Sequence, residues 1–302
     1  MKTAVTGGSG LIGSRLVQRL IQKGERVIVI SRTCGDRWRR LESGGKITCI
    51  AWDQLESRAE ELEGLTAIVH LAGETINQRW NEQAKQEILR SRIESTVQLS
   101  DIVKRLQRKP ETIISGSAVG IYGMDGSREF DEYCSVQGDD FLAQVVRLWE
   151  AAADQFDDVR VVKLRTGVVL DRHGGALPKM MLPYKLGVGG PIGSGRQWLS
   201  WIHIEDIVNV IEFCMHNRQL NGPVNAVSPQ PVTNDEFGRT LGMVLKRPHY
   251  LPLPAFVMKL VFGEMSSLLT EGQKAVPKRL MEHGFQFQFD SLKSALNDLL
   301  SK

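Results

Sequence analysis

Gly7, Gly8, Gly10 and Gly13 fall directly after a short apolar run, MKTAVT. They directly precede Leu11, Ile12, Leu16, Val17, Leu20 and Ile21, which recur at helical spacing. Read from Gly8 the pattern is G-x-G-x-x-G; read from Gly7 it is G-x-x-G-x-x-G. Glycine lets the backbone turn tightly and approach a diphosphate closely, and the helix that follows offers unpaired N–H groups and a positive dipole end. A strand before and a helix after turn a bare glycine pattern into a dinucleotide signal. The carboxylate that grips an adenosine ribose belongs at the end of the next strand, about twenty residues on. The chain has Ser31 and Arg32 there, with Arg37, Arg39 and Arg40 just beyond. A guanidinium matches a phosphate in planar, bidentate fashion, so a 2′-phosphate and hence NADP is expected. The run from Arg37 to Arg40 reads equally well as a solvated helix face.

The elements that must position these residues alternate through the first half. Strands are expected ending at Thr6, over Arg26–Ile30, Lys46–Trp52, Thr66–Gly73, Thr112–Val119 and Val159–Leu170. Helices are expected over Asn81–Leu106 and near Asp139–Phe156. Near-continuous apolar strands with helices between them predict a Rossmann-type α/β fold, a doubly wound parallel sheet with ligands at the carboxyl ends of its strands. The rhythm breaks after Leu170: residues 173–200 are rich in Gly and Pro and read as loops and short elements over the sheet edge. Leu251–Gly263 and the amphipathic stretch Leu292–Leu300 read as a small, mainly helical C-terminal substrate lobe. The division expected is 1–170, continuing through 201–230, for the NADP-binding domain, and 171–200 with 231–302 for the lobe.

Composition bounds the partners. With 302 residues, 42% hydrophobic and a net charge of +3, the chain can bury a large core, and its charge argues for no nucleic acid and no membrane surface. No apolar run approaches the roughly 18 residues of a membrane span. Cys34, Cys49, Cys134 and Cys214 show no C-x-x-C or metal-like spacing, so reduced thiols and a cytoplasmic setting are expected.

Several runs together resemble the extended short-chain dehydrogenase/reductases: TGGSGLIG, HLAGE ending at Glu74, SGSAVGIYG (Ser115–Gly123), LRTGVVL (Leu164–Leu170) and WIHIEDI (Trp201–Ile207). GGPIGSGRQWLSWIHIEDI and GEMSSLLTEGQKAVPKRLMEHGF resemble a narrower branch, the atypical YfcH-like epimerase-family proteins with a C-terminal domain of unknown function. The resemblance spans nearly the whole chain and implies NADP(H). It places Gly7, Gly10, Leu11, Ile12 and Gly13 along the diphosphate, and Ser31 and Arg32 at the 2′-phosphate. Leu71 and Ala72 would pass the adenine-side ribose and diphosphate, and Val169 would meet the nicotinamide amide. Arg92 takes the place of an Asn that approaches the cofactor in extended members, with Glu87 within reach of the same neighbourhood.

Hydride transfer in this superfamily uses Tyr-x-x-x-Lys, where the two side chains share one helix face and the lysine lowers the tyrosine pKa. Aligning Glu150 with the Glu that commonly follows the Lys puts Leu142 and Val146 at those positions. No tyrosine in the chain has a lysine four residues on. Ser117, Tyr122 or a bound water remain as proton sources, with the Tyr122 phenol expected near its ordinary value of about 10. His70 and His203 read as structural. The arginine that clamps a sugar-nucleotide diphosphate is replaced by Leu199, with Arg196 close by, although Gly193, Gly195 and Gln197 keep the frame. Met180, Met181, Leu182, Trp198 and Trp201 read either as an apolar pocket wall or as inter-lobe core. Two functions follow: an NADP(H)-dependent oxidoreductase acting on an unidentified small molecule, or a non-catalytic NADPH sensor with a protein partner. A nucleotide-sugar epimerase is disfavoured.

Overall fold

A computed structural model describes residues 1–35, 38 and 45–301. The apolar runs become seven strands: β1 (Lys2–Thr6), β2 (Arg26–Ser31), β3 (Ile47–Ala51), β4 (Ala67–His70), β5 (Thr112–Ala118), β6 (Arg160–Thr166) and β7 (Gly222–Ala226). All pair in parallel, in the order β7-β6-β5-β4-β1-β2-β3. The order reverses between β1 and β4, and the crevice beyond their carboxyl ends is where such sheets take ligands. One face is covered by α1 (Leu11–Gln22) and α5 (Ile204–His216). The other is covered by α2 (Glu82–Arg105) and α3 (Phe141–Ala153). Leu16, Val17 and Leu20 bury the inner stripe of α1, while Arg15, Arg19 and Lys23 on its flank pair with Glu205 and Glu212 of α5. Asn81 and Asp140 cap α2 and α3 through their side-chain oxygens, which supplies the first-turn N–H groups with acceptors.

The C-terminal part is built on α4 (Leu177–Lys185), α6 (Asn234–Leu245), α7 (Ala255–Phe262) and α8 (Leu292–Leu300). Tyr184 of α4 reaches the Nδ1 of His249 at 2.8 Å, whose Nε2 lies 2.9 Å from Asp235 at the start of α6. Gly238 makes room for the pair, since a Cβ there would stand 2.5 Å from the Tyr184 hydroxyl.

Three expectations change in three dimensions, and one pair of alternatives is resolved. The single strand expected over Val159–Leu170 breaks at Gly167, because a Cβ at that residue would lie 2.4 Å from the Ser200 carbonyl oxygen. Val168–Leu170 then pairs with Trp201–His203 in a separate parallel ribbon. The stretch Leu251–Gly263 is helical only from Ala255. Trp201 and Met181 belong to the core, and Leu182 points to solvent, so no wall of a pocket forms from them together. Cys34 and Cys49 are joined in a disulfide, where reduced thiols were expected. Linear spacing does not show this pairing: Cys49 lies in β3 opposite Val29, and Cys34, past the end of β2, lies beside it with Cα atoms 5.8 Å apart.

Candidate functional site

The G-x-x-G-x-x-G reading describes the loop. Gly7 has φ +66°, and a Cβ on it would meet the Leu71 carbonyl oxygen at 2.6 Å. A Cβ on Gly13 would lie 2.3 Å from the Gly7 carbonyl oxygen, so the loop closes on the helix only without one. Gly10 is exposed, precedes α1 and supplies no side-chain cap, which leaves the first-turn N–H groups near Leu11 and Ile12 to an outside acceptor. Gly8 is the odd one out: it is buried, its Cβ position facing Val29, Val17 and Trp38. The cradle fits a diphosphate, because Gly7 and Gly13 let the loop close tightly on itself and Gly10 leaves its exposed face free of a side chain.

The opposite wall is fixed by a buried relay at the β1–β4 switch point. Thr6 Oγ1 accepts from the N–H groups of Leu71 and Ala72, each at 3.0 Å, so its own hydrogen goes to His70 Nδ1 at 2.8 Å. Thr96 gives its hydrogen to the Arg92 carbonyl, which leaves its oxygen to accept from His70 Nε2 at 3.0 Å. His70 is therefore held neutral, as the Nε2–H tautomer, and burial pushes its pKa down to about 4. Leu71 and Ala72 line the crevice as backbone whose N–H groups are already committed.

Around this wall the other expected residues take definite places. Ser31 ends β2 half-buried, and the Arg32 side chain beside it is 87% exposed. Arg37, Arg39 and Arg40 lie outside the described residues. Arg92 does not reach out as a free cation. Its Nη1 donates to the carbonyls of Glu74 and Ile88, both at 2.9 Å, and its guanidinium stacks 5.1 Å from the Trp149 ring centre. Desolvation lowers its pKa to about 10. Glu87 is on the exposed face of α2 and accepts from Gln83. Val169 lies opposite Ile202 in the short ribbon after β6.

Where the superfamily's tyrosine and lysine would stand, the chain is apolar. Val146 packs with Val119, Ile121, Tyr122 and Phe130, and Leu142 lies over Gly120. The polar groups nearby form a closed network. Glu150 takes both nitrogens of a two-point contact from Arg165, at 2.8 and 2.9 Å, and accepts from Ser117 at 2.6 Å. Arg165 Nη1 donates to the Tyr122 hydroxyl at 3.0 Å, which passes its own hydrogen to Asn225 Oδ1 at 2.8 Å. Asn225 in turn donates to the Val276 carbonyl. Burial draws the Arg165 pKa down, but the Glu150 contact outweighs it and the net shift is upward. The Tyr122 phenol, expected near its ordinary value, is instead pushed up to about 12 by burial. Neither hydroxyl is free to serve as an acid in this arrangement.

His203 caps α5 by accepting the Glu205 N–H, and its ring lies 3.8 Å, centre to centre, from that of Phe289. Desolvation lowers its pKa to about 4, against the pull of Asp298. Both histidines thus bind a proton in the unfolded chain more readily than in the folded one. Their stabilising effect is complete above about pH 6.5 and fades as pH falls towards 4. Urea denaturation at pH 5 is expected to show a loss of about 2 kcal/mol per histidine relative to pH 7. His203→Asn is expected to shrink that pH-dependent loss, and an unchanged slope would contradict this assignment.

In the sequence Glu150 serves only as an alignment mark, and no local spacing marks Thr6, Thr96, Trp149 or Arg165 as site residues. A buried Glu and Arg on neighbouring elements was the available signal, but nothing linear pairs residues 150 and 165 across helix and sheet.

A parallel seven-stranded Rossmann sheet, glycine cradle and added C-terminal helices define the extended short-chain dehydrogenase/reductase class. The chain belongs to the NAD dependent epimerase/dehydratase family, which it matches over residues 3–226; residues 253–299 match a domain of unknown function. It is 38% identical over 304 residues to the epimerase family protein YfhF of Bacillus subtilis, covering 100% of this chain and 98% of that protein. It is 35% identical over 300 residues to the epimerase family protein SAR0825 of Staphylococcus aureus, covering 99% and 98%. Its structure resembles that of human epimerase family protein SDR39U1 with NADPH, at a TM-score of 0.90 and 38% identity over 100% of both chains. The nucleoside-diphosphate sugar epimerase from Corynebacterium glutamicum aligns at TM-score 0.78 and 33% identity, covering 99% of this chain and 58% of that one.

Proposed function

We propose that the chain is an NADP(H)-binding atypical short-chain dehydrogenase/reductase, an oxidoreductase whose proton does not come from a Tyr-x-x-x-Lys pair. The observation that carries the cofactor is Arg32, exposed at the carboxyl end of β2 where a ribose-binding carboxylate would select NAD. Gly7 and Gly13 let the loop close, Gly10 leaves room for the diphosphate, and the start of α1 at Leu11 and Ile12 offers it N–H groups. Residues 1–170 with 201–230 form the nucleotide-binding body in this reading, and 171–200 with 231–302 the substrate lobe. The human relative crystallised with NADPH supports the same cofactor. NADPH bound here would supply a hydride. Ser117 and Tyr122 are spent on Glu150 and Asn225, so water is the remaining proton carrier.

Titration is expected to show NADPH bound more tightly than NADH, with Arg32→Ala costing NADPH about ten- to a hundredfold and NADH almost nothing. Equal affinities in the parent chain would overturn the cofactor assignment. Stopped-flow oxidation of NADPH against aldehydes, ketones and quinones then tests turnover.

The closed Glu150–Arg165–Tyr122 network favours a second reading, an NADPH-dependent sensor that binds a protein partner without turnover. NADPH-dependent capture of a partner, with no acceptor oxidising the cofactor, would distinguish it. A sugar-nucleotide epimerase is supported less well. Leu199 stands at the clamp position, and the Gln197 side-chain NH2 donates to the carbonyls of Ile192 and Leu269.

A further inference from the structure

Arg32 is not alone at the end of β2. The Glu74 carboxylate, from the loop after β4, comes within 3.5 Å of its Nη1. Sequence placed no acid here, because Glu74 is far from Arg32 along the chain and meets it only through the β1–β2 and β1–β4 pairings. The loop holds Glu74 firmly at the backbone. Its N–H donates to Ser91 Oγ at 2.9 Å and its carbonyl accepts from Arg92 Nη1 at 2.9 Å. Its side chain is 32% exposed and faces the adenosine side of the crevice, where Arg32 stands. A carboxylate at that place acts in opposite directions on the two dinucleotides. It competes with a 2′-phosphate for Arg32 and repels it, whereas it accepts a hydrogen bond from a 2′-hydroxyl.

We infer that Glu74 is a specificity-determining residue of the dinucleotide site, an internal counter-ion of Arg32 that moderates the preference for NADPH over NADH. This rests on the NADP(H) reading above. Arg32 sets the sign of the preference and Glu74 limits its size. A 2′-phosphate entering the site must draw Arg32 away from Glu74, and on leaving it finds the pair ready to re-form.

The test is titration of the full chain with NADPH, NADH, 2′,5′-ADP and 5′-AMP in five forms: parent, E74Q, E74D, R32A and the double variant of E74Q with R32A. E74Q keeps size and hydrogen-bonding reach while removing the charge. It is expected to tighten NADPH and 2′,5′-ADP about three- to tenfold, with NADH and 5′-AMP unchanged or weaker. The gain is expected to shrink in the R32A background, where no guanidinium is left to release. E74D, which keeps the charge on a shorter arm, is expected to lie between parent and E74Q. An E74Q that weakens all four ligands alike makes Glu74 a loop support only and overturns the inference. So does an arginine-dependent NADPH preference that E74Q leaves unchanged. A parent chain with no NADPH preference, or one that R32A leaves intact, removes the cofactor reading and this inference with it.

Discussion

Arg165→Met is expected to lower the unfolding free energy by about 3–5 kcal/mol, read as a shift in the urea midpoint at neutral pH. The arginine is buried and satisfies both oxygens of Glu150, itself buried under the β5–β6 end of the sheet. Methionine fills similar space but leaves the carboxylate with Ser117 as its remaining partner from this network. A buried charge stripped of its counter-ion is the costly state; the intact pair is near balance against an apolar substitute. The double variant Arg165→Met with Glu150→Leu is therefore expected to recover most of the loss. The single change also unseats the Tyr122 hydroxyl, and through Asn225 the contact with Val276 in the C-terminal region. A loss below about 1 kcal/mol for the single variant would show that water reaches Glu150 and that the network is not closed.

Gly13→Ala is expected to remove measurable NADPH binding and to lower stability by about 1–3 kcal/mol. The added Cβ meets backbone on every side, with the Gly7 carbonyl carbon and the Gly8 Cα both at 2.9 Å, so no side chain can swing away to admit it. Gly10→Ala is the informative contrast. Its Cβ would find a single neighbour at 3.3 Å, the Gly7 carbonyl oxygen, and its φ of −73° suits any residue. The fold is expected to persist within about 0.5 kcal/mol, while NADPH affinity falls at least tenfold because the methyl stands where a diphosphate approaches. Thermal melts beside cofactor titrations separate the two outcomes. Equal affinity in Gly10→Ala and parent would mean that the diphosphate does not lie over this loop.

Much of the site was readable in one dimension because its physics is local. A glycine spacing, the strand before it and the helix after it lie within a few turns of chain, and β1 and α1 form where the apolar period changes. Leu142 and Val146 were equally legible, since a helix face follows from spacing alone. The cysteine expectation failed for the complementary reason. Cys34, in the segment after β2, comes to lie beside Cys49 of β3, and no local pattern announces it. Gly167 interrupts the strand-like run Val159–Leu170 where the Ser200 carbonyl, thirty-three residues away by number, packs against it.

The sequence by itself determined that a glycine loop joins the first strand of a parallel sheet to its first helix, that Arg32 and no carboxylate follows the second strand, and that the tyrosine and lysine are missing. These are properties of residue type and of spacing within single elements. Tertiary structure alone decided what the remaining polar groups do. It closed Ser117, Glu150, Arg165 and Tyr122 into one buried network, held His70 neutral between two threonines, and brought Glu74 to Arg32. Buried charges and hydroxyls must find partners, and in a parallel sheet the partners sit on different strands and helices, at distances along the chain that no local period encodes.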